Sequence, residues 1–412
     1  MLQRDRDHPS IVIWSIGNEI PQQASQHGVE IARTLAGICH AEDPSRPVTS
    51  ACDNVHSTNP TRPDFIAALD IAGYNYVDRW GAHREIYFSD DREKYPQRKF
   101  VGTEDVCVGG VRGNYFGGSN ALPYASSMIR AEQLWKFNAV HDYVIGYFMW
   151  TGVDYLGEAR FWPRKGASSG VLDTCGFPKD GYYFYQSQWT TEPMVHVFPH
   201  WNYPGEKGAI IPVVVYSNCR QVELQLNGRS YGVKSLVFPR PGTVRSWNDP
   251  APTGTTADLH LTWDVPYEPG TLRVIGRREG QIVAEEEIHT ADAPAVIALM
   301  CDKTNLSSAA RGVAQIEVRI LDAAGNFVPT ATNAVTFDVQ GPAKIIGVDN
   351  GDPASHDSYQ AATRPVFNGL TLVTLQAGKT PGHVTLTAKA DNLKDASVEL
   401  DVQPGATIST LP

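Results

Sequence analysis

A chain of 412 residues with 42% hydrophobic and 19% charged side chains has the balance of an ordinary globular protein, and its length suits roughly two to four domains. Its net charge of −10 argues against nucleic acid or an anionic membrane as the main partner, because both demand a basic face, and favours a neutral substrate.

Read from the N-terminus, Met1-Leu2-Gln3-Arg4-Asp5-Arg6-Asp7 is charged where a signal peptide needs an apolar core. No run of 18 apolar residues follows, so the chain as written is expected to carry neither an export signal nor a membrane insertion. Over the first 190 residues short apolar runs alternate with helical stretches, the pattern of a parallel α/β domain. Strands are expected at 11–15, 47–50, 70–76, 100–103 and 144–150, in the manner of strands buried on both faces. Helices are expected at 28–40 and 124–141, where apolar residues recur at three- and four-residue steps.

Beyond about residue 195 the pattern changes to short alternating strands separated by Gly, Pro and Asn turns, which predicts β-sandwiches. Runs at 213–217 and 222–226 lead into Asn227-Gly228, a strong hairpin signal. Thr290 to Pro294 reads as a linker, and alternating runs at 315–321, 334–339 and 383–388 supply a second sandwich that ends near Pro404. The expected organisation is an α/β domain over 1–194 followed by β-sandwich domains over 195–289 and 290–412. The six cysteines, at 39, 52, 107, 175, 219 and 301, form no C-x-x-C pair and no zinc or disulfide spacing. Whether Cys107 approaches Cys175 is not legible from spacing.

Chemistry concentrates at two strand ends. Gly17-Asn18-Glu19 puts a carboxylate and an amide at the C-terminal end of the first expected strand, the edge that is catalytic in parallel barrels. Glu104 follows the 100–103 strand in the same way. Two such carboxylates suit glycoside hydrolysis, where one protonates the leaving oxygen and the other attacks or activates water, with about 5–5.5 Å between them in retaining enzymes. A lone acidic residue after a strand more often caps the next helix or faces solvent, and spacing alone does not choose between the two readings. The 9 Trp, 17 Tyr and 14 Phe offer flat faces for sugar C–H groups, although core packing must account for most of them.

The stretch Arg6-Asp7-His8-Pro9-Ser10-Ile11-Val12-Ile13-Trp14-Ser15-Ile16-Gly17-Asn18-Glu19 closely resembles the acid/base signature of glycoside hydrolase family 2, which contains β-galactosidases, β-glucuronidases and β-mannosidases. The stretches from Gly146 to Glu158 and from Gly170 to Asp180 resemble the last barrel strand and following loop of its β-galactosidase-type members. The resemblance implies the C-terminal part of a (β/α)8 TIM barrel, about strands 4 to 8, followed by two immunoglobulin-like sandwiches. Under it, Glu19 is the general acid/base, Asn18 binds the sugar 2-hydroxyl and Glu104 is the nucleophile, although Asp105-Val106-Cys107-Val108 departs from the commonest form of that motif. Tyr76, closing Gly73-Tyr74-Asn75-Tyr76, hydrogen-bonds the nucleophile, while Tyr74 belongs to the core. Trp150 forms the floor of the sugar subsite, and Glu158, Trp162 and Lys165 lie in the loop after it, lining the site or anchoring that loop.

A complete barrel needs eight strands and roughly 250 residues. The expectation is therefore a chain that lacks the first strands, exposes apolar sheet edges, has little activity alone and depends on a complementing N-terminal part or a homo-oligomer. The expected function is a retaining β-galactosidase. The nearest alternative, a β-glucuronidase, needs a cation for the sugar carboxylate; Arg164-Lys165 is the only basic pair in the loop after Trp150, and the family's Asn-x-Lys element is not visible there. A non-catalytic carbohydrate-binding or structural fragment is the reading from a different class. No cofactor or metal is expected: Gly109-Gly110 to Gly118 lacks a nucleotide-binding pattern, and the acidic stretch Gly347 to His356 fails the EF-hand spacing and reads as a turn network. Appended sandwiches of this kind suggest a periplasmic or secreted parent protein.

Overall fold

A computed structural model of the chain describes residues 1–53, 60–77, 86–108, 110–115, 126–159, 161–236 and 259–405. Its described residues fall into two compact units, one within 1–108 and 125–151 and the other within 109–124, 152–236 and 252–412. Of the glycine-rich loop read at 109–118, residues 109 and 116–118 lie outside the described residues.

The first unit is a parallel sheet in the order β1 (Trp14–Asn18), β2 (Val48–Cys52), β3 (Ala72–Asn75), β4 (Phe100–Asp105) and β5 (Val144–Met149). The helices of this unit include α1 (Leu2–Asp5), α2 (Gln26–Glu42), α3 (Pro63–Ile66), α4 (Ile86–Lys94) and α5 (Ser126–Val140). Helix α2 starts where the Ser25 hydroxyl accepts the Gly28 N–H at 3.0 Å. It turns Val29, Ala32, Ala36 and Cys39 inward, and Ala36 and Cys39 pack against Trp14 and Val48. Tyr74, Phe88 and Phe100 form a second core with ring centroids 5.8 to 5.9 Å apart, so Tyr74 is a core residue as expected.

Two sequence expectations need correction. The first strand runs from Trp14 to Asn18 rather than from Ile11, and Val12 is 65% exposed. Arg46 holds the segment ahead of it instead, donating to the carbonyls of Arg6, His8 and Ile11 at 2.6 to 3.0 Å. Nor are all five strands buried on both faces. Strands β2 and β3 are buried throughout, but β1 and β5 are the outer strands of the sheet, and Ile145 and Phe148 on β5 lie open.

The second unit opens with a short antiparallel pair, β6 (Tyr155–Leu156) and β7 (Gly166–Ala167), and then α6 (Asp180–Trp189). A first sandwich is built from β8 (Val195–Phe198), β9 (Ile210–Ser217), β10 (Gln221–Leu226), β11 (Arg229–Ser235), β12 (Leu261–Pro266), β13 (Thr271–Arg278) and β14 (Gln281–His289). Its sheets run β11-β10-β13-β14 and β12-β9-β8, and both send alternate residues into one core. Asn227 and Gly228 both take positive φ, 51° and 79°, as the tight hairpin between β10 and β11 requires.

A second sandwich comprises β15 (Val296–Cys301), β16 (Asn305–Ser307), β17 (Val313–Leu321), β18 (Ala334–Gln340), β19 (Ala343–Asp349), β20 (Thr363–Pro365), β21 (Leu370–Ala377), β22 (Gly382–Lys389) and β23 (Ala396–Gln403). Strict alternation of burial along β21 shows the period-2 pattern that made these strands legible. The connecting stretch at 290–294 is not slack: Ala291 exchanges two hydrogen bonds with the Asn202 side chain, and the Asp292 N–H meets Asp322 at 3.0 Å. The turn at 349–355 is a network of side-chain caps, with the Asp352 N–H on Asn350 and the Ala354 N–H on Asp352.

Buried ions tie the parts of this unit together. Arg112, buried, donates to Asp173 at 2.7 Å and to the carbonyls of Asn350 and Phe367 at 3.0 and 2.8 Å. His196 on β8 sits between Asp180 of α6 at 3.1 Å and Glu286 of β14 at 3.4 Å, with its ring stacked on Tyr183. Burial opposes charge on this imidazole, but the hydrogen bonds to Asp180 and Glu286 win and push it up from 6.5 to about 9. A histidine whose folded pKa exceeds its ordinary value contributes stability that is complete below 6.5 and is lost as pH rises through about 9. Chemical denaturation between about pH 6 and pH 10 should therefore show an alkaline loss of up to about 3 kcal/mol that His196→Gln removes. An unchanged slope in that variant would assign the loss to other groups.

Candidate active site

The C-terminal ends of β1, β3 and β4 meet through a single buried amide. Asn75 is fully buried at the end of β3 and pairs in register with Glu104 on β4. Its side-chain nitrogen lies 3.0 Å from Asn18 Oδ1, 3.0 Å from Glu19 Oε1 and 3.4 Å from Glu104 Oε2. Two N–H protons thus face three acceptors, and Glu104 takes the longest contact. The amide orientation is set from the other side, where Thr103 Oγ1 donates to Asn75 Oδ1 at 2.7 Å. Because both carboxylates touch one nitrogen, their facing oxygens are no further apart than the sum of those two contacts.

Backbone geometry aims these side chains. Glu19, Tyr76 and Val106 all follow or close strands with positive φ, between 50° and 54°, a region uncommon for any non-glycine residue and an outlier for a β-branched one. Each residue costs of order 1–3 kcal/mol, so the surrounding bonds must hold it there. The Glu19 N–H is fixed on the Ala51 carbonyl at 2.9 Å, and the Tyr76 N–H on the Glu104 carbonyl at 2.6 Å. Register shifts between β3 and β4 and between β4 and β5 fall at this edge, where irregular pairing re-aims side chains. Gly102 is required beside them, since a Cβ there would stand 1.8 Å from an Asp105 carboxylate oxygen.

The two carboxylates differ in setting. Glu19 and Asn18 are exposed, whereas Glu104 is half-buried near the end of β4, inside the strand rather than after it. The Tyr76 hydroxyl donates to Glu104 Oε1, and the Cys107 thiol lies 3.8 Å from that hydroxyl. Burial, and then the bond to Glu104, push the Tyr76 phenol well above its ordinary pKa, so it remains a protonated donor. All six cysteines are free thiols, Cys107 and Cys175 included. Trp150 follows β5, half-buried, with its N–H on the Asp105 carbonyl at 2.9 Å.

The structure thus gathers Asn18, Glu19, Tyr76 and Glu104 around Asn75. Glu158 and Trp162 belong to the second unit, where Glu158 accepts from the Tyr155 hydroxyl at 2.5 Å and Trp162 stacks on His356. Asn75 and Thr103 were the residues that sequence reasoning quoted without assigning. The available signal was an amide inside a strand buried on both faces, which has to find partners there.

The chain belongs to glycoside hydrolase family 2. Residues 1–159 match the family's TIM barrel domain, residues 297–399 match its C-terminal domain 5, and residues 208–284 match a domain family of unknown function. Among curated relatives, it is 33% identical to the β-galactosidase BoGH2A of Bacteroides ovatus over 97% of this chain and 50% of that protein. It is 28% identical to a β-glucuronidase of Formosa agariphila over 97% of this chain and 38% of that one. A solved β-glycosidase from Bacteroides vulgatus superposes with a TM-score of 0.80 at 32% identity, covering 97% of this chain and 52% of that one. The chain therefore spans about half the length, or less, of these relatives.

Asn75→Ala is expected to lower kcat/KM for a nitrophenyl β-glycoside by about a hundredfold, because it releases both carboxylates from their common donor. Asn75→Asp should instead place a third carboxylate among two and move the acidic limb of the pH profile upward. A merely structural asparagine would leave that limb where it is.

Proposed function

We propose that the chain carries the catalytic site of a retaining β-glycosidase that removes terminal β-galactosyl groups. The observation that carries this reading is the Asn75 amide, which holds Glu19 and Glu104 side by side at the strand ends. Their common donor keeps the facing oxygens closer than the about 6.5 Å at which the range of inverting enzymes begins, which admits the ~5–5.5 Å of retaining ones.

In the first step Glu104 attacks the anomeric carbon while Glu19 gives its proton to the glycosidic oxygen; the bond to the aglycone breaks and a glycosyl ester forms. In the second, Glu19 takes a proton from water, which displaces Glu104 and releases the sugar with its configuration retained. Tyr76 donates to the nucleophile and favours its ionised form before attack. Asn18 binds the 2-hydroxyl, Trp150 forms the subsite floor, and Glu158 and Trp162 contribute to substrate binding from the following loop.

Galactose is favoured over glucuronate because Lys165, the second of the basic pair after Trp150, lies against an aromatic ring. Lys165 Nζ lies 4.4 Å from the Tyr359 ring centroid, and Arg164 reaches Ser168. Similarity to the Bacteroides ovatus β-galactosidase over nearly the whole chain supports the same choice.

We further infer that strands beyond the five described complete a barrel around this sheet, since the outer strand β5 exposes Ile145 and Phe148, and that hydrolysis depends on them. The domain limits 1–194, 195–289 and 290–412, with immunoglobulin-like sandwiches, belong to this reading.

Hydrolysis of nitrophenyl β-galactoside should exceed that of the β-glucuronide, be far stronger once the complementing strands are supplied, and fall by about 10³-fold or more in Glu19→Gln and in Glu104→Gln. A fluorinated galactoside that traps the glycosyl-enzyme should label Glu104. A label elsewhere, or an inverted product, would overturn the assignment.

A further inference from the structure

Within the second unit, the turn between β6 and β7 presents Trp162 with 84% of its surface exposed, the most open large apolar side chain among the described residues, beside Phe161 at 73%. Aromatic rings of this size are ordinarily what a core buries first, so a ring left in water forgoes a large gain. A floppy tip would explain that exposure. The contacts around Trp162 describe a fixed one.

The Trp162 ring lies against the His356 imidazole, with centroids 4.8 Å apart and planes 27° from parallel. His356 Nε2 donates to the Pro163 carbonyl at 2.7 Å, which locks the imidazole under the turn. The base of the turn is closed by the Gly157 N–H on the Lys165 carbonyl at 3.1 Å, and its tip by the Arg164 N–H on the Phe161 carbonyl at 2.9 Å. The Lys165 N–H then reaches the Pro353 carbonyl at 2.9 Å, joining this loop to the loop of the second sandwich that carries His356.

That second loop is itself held from within. Arg364, with no exposed surface, donates to the carbonyls of Val348, Asp357 and Ser358 and to the Ser355 hydroxyl, at 3.0 to 3.3 Å. The Tyr359 ring sits between Lys165 Nζ at 4.4 Å and the Arg364 guanidinium at 5.6 Å. A buried cation therefore fixes the loop, the loop fixes His356, and His356 fixes an exposed indole face. Its charged neighbours Glu158 and Arg164 hydrogen-bond the Tyr155 and Ser168 hydroxyls beside the turn, and the indole itself presents an apolar face.

We propose that Trp162, held by His356, is a stacking platform for the C–H face of a sugar ring in a neutral saccharide chain. The class of ligand rests on the glycosidase reading of the strand-end carboxylates. Preorganisation by His356 means that little ordering cost remains when a sugar ring arrives.

The test is retardation of the full chain in native gels containing soluble β-galactan or soluble β-glucan, performed in a Glu104→Gln background so that binding alone is read. Retardation is expected with β-galactan. Trp162→Ala should weaken it about tenfold or more, Trp162→Tyr should restore most of it, and His356→Ala should weaken it while thermal melting stays within a few degrees. Retardation by β-glucan alone, lost in the same variants, would uphold the platform while counting against galactose at the active site. Unretarded parent protein with both polymers, or unchanged retardation in either Trp162→Ala or His356→Ala, would overturn the proposal.

Discussion

An amide buried between two carboxylates is the constraint on which the candidate site depends. Asn75 cannot turn its side chain toward water, so its N–H groups must be answered inside the sheet, and the answers are Asn18, Glu19 and Glu104. Thr103 removes the remaining freedom by fixing which end of the amide is the donor. The sheet edge can tolerate Glu19 and Tyr76 at positive φ because each is tied to a neighbouring strand, and those ties bring carboxylates from separate strands to one point. The same requirement explains the glycine at 102, where the Asp105 carboxylate occupies the space a side chain would need.

In the second unit the organising groups are buried cations. Arg112 spans from Asp173 to the carbonyls of two sandwich segments, Lys179 meets Asp154 at 2.7 Å, and Arg364 gathers three carbonyls of one loop. Removing one member of such a pair strands the other charge, at a cost of roughly 3–5 kcal/mol, so each pair fixes geometry more firmly than its net contribution to stability suggests. Carbonyls that irregular loops would otherwise leave unanswered thereby find donors, and long connections keep one conformation without adding strands.

Much of this was legible in the sequence where periodicity or turn chemistry is strong. The alternation along 315–321 and 383–388, the Asn227-Gly228 hairpin and the helix at 28–40 each follow from one local rule. The first strand was misplaced because Ile11-Val12-Ile13 is as apolar as a buried strand, while its actual position is decided by Arg46, a residue 35 positions away. Asn18, Glu19 and Glu104 stand out at strand ends, but only family resemblance gives them and Tyr76 their expected roles, since a strand-end carboxylate is locally indistinguishable from a helix cap. Asn75 escaped because its role is defined by three partners on two other strands, and no local pattern records a shared donor. The stretch 290–294 reads as a linker in the sequence because nothing local records the Asn202 and Asp322 side chains that clamp it.

The division of labour between the two units has a consequence for how specificity can change. The carboxylates depend on Asn75, Thr103 and Tyr76, at the edge of the parallel sheet, where a substitution disturbs a polar network centred on a fully buried amide. The loop that carries Trp162 depends instead on His356, Pro353 and Arg364 from the second sandwich. His356 and Pro353 lie in a loop whose backbone is held by side-chain caps, so an exposed residue at a tip can be exchanged without unpairing a strand. A sandwich built in this way serves as more than a spacer, because it sets the position of a loop that it does not contain. Divergence in what the protein binds is thus least constrained at 161–164 and 353–358, and most constrained at 75, 103 and 104.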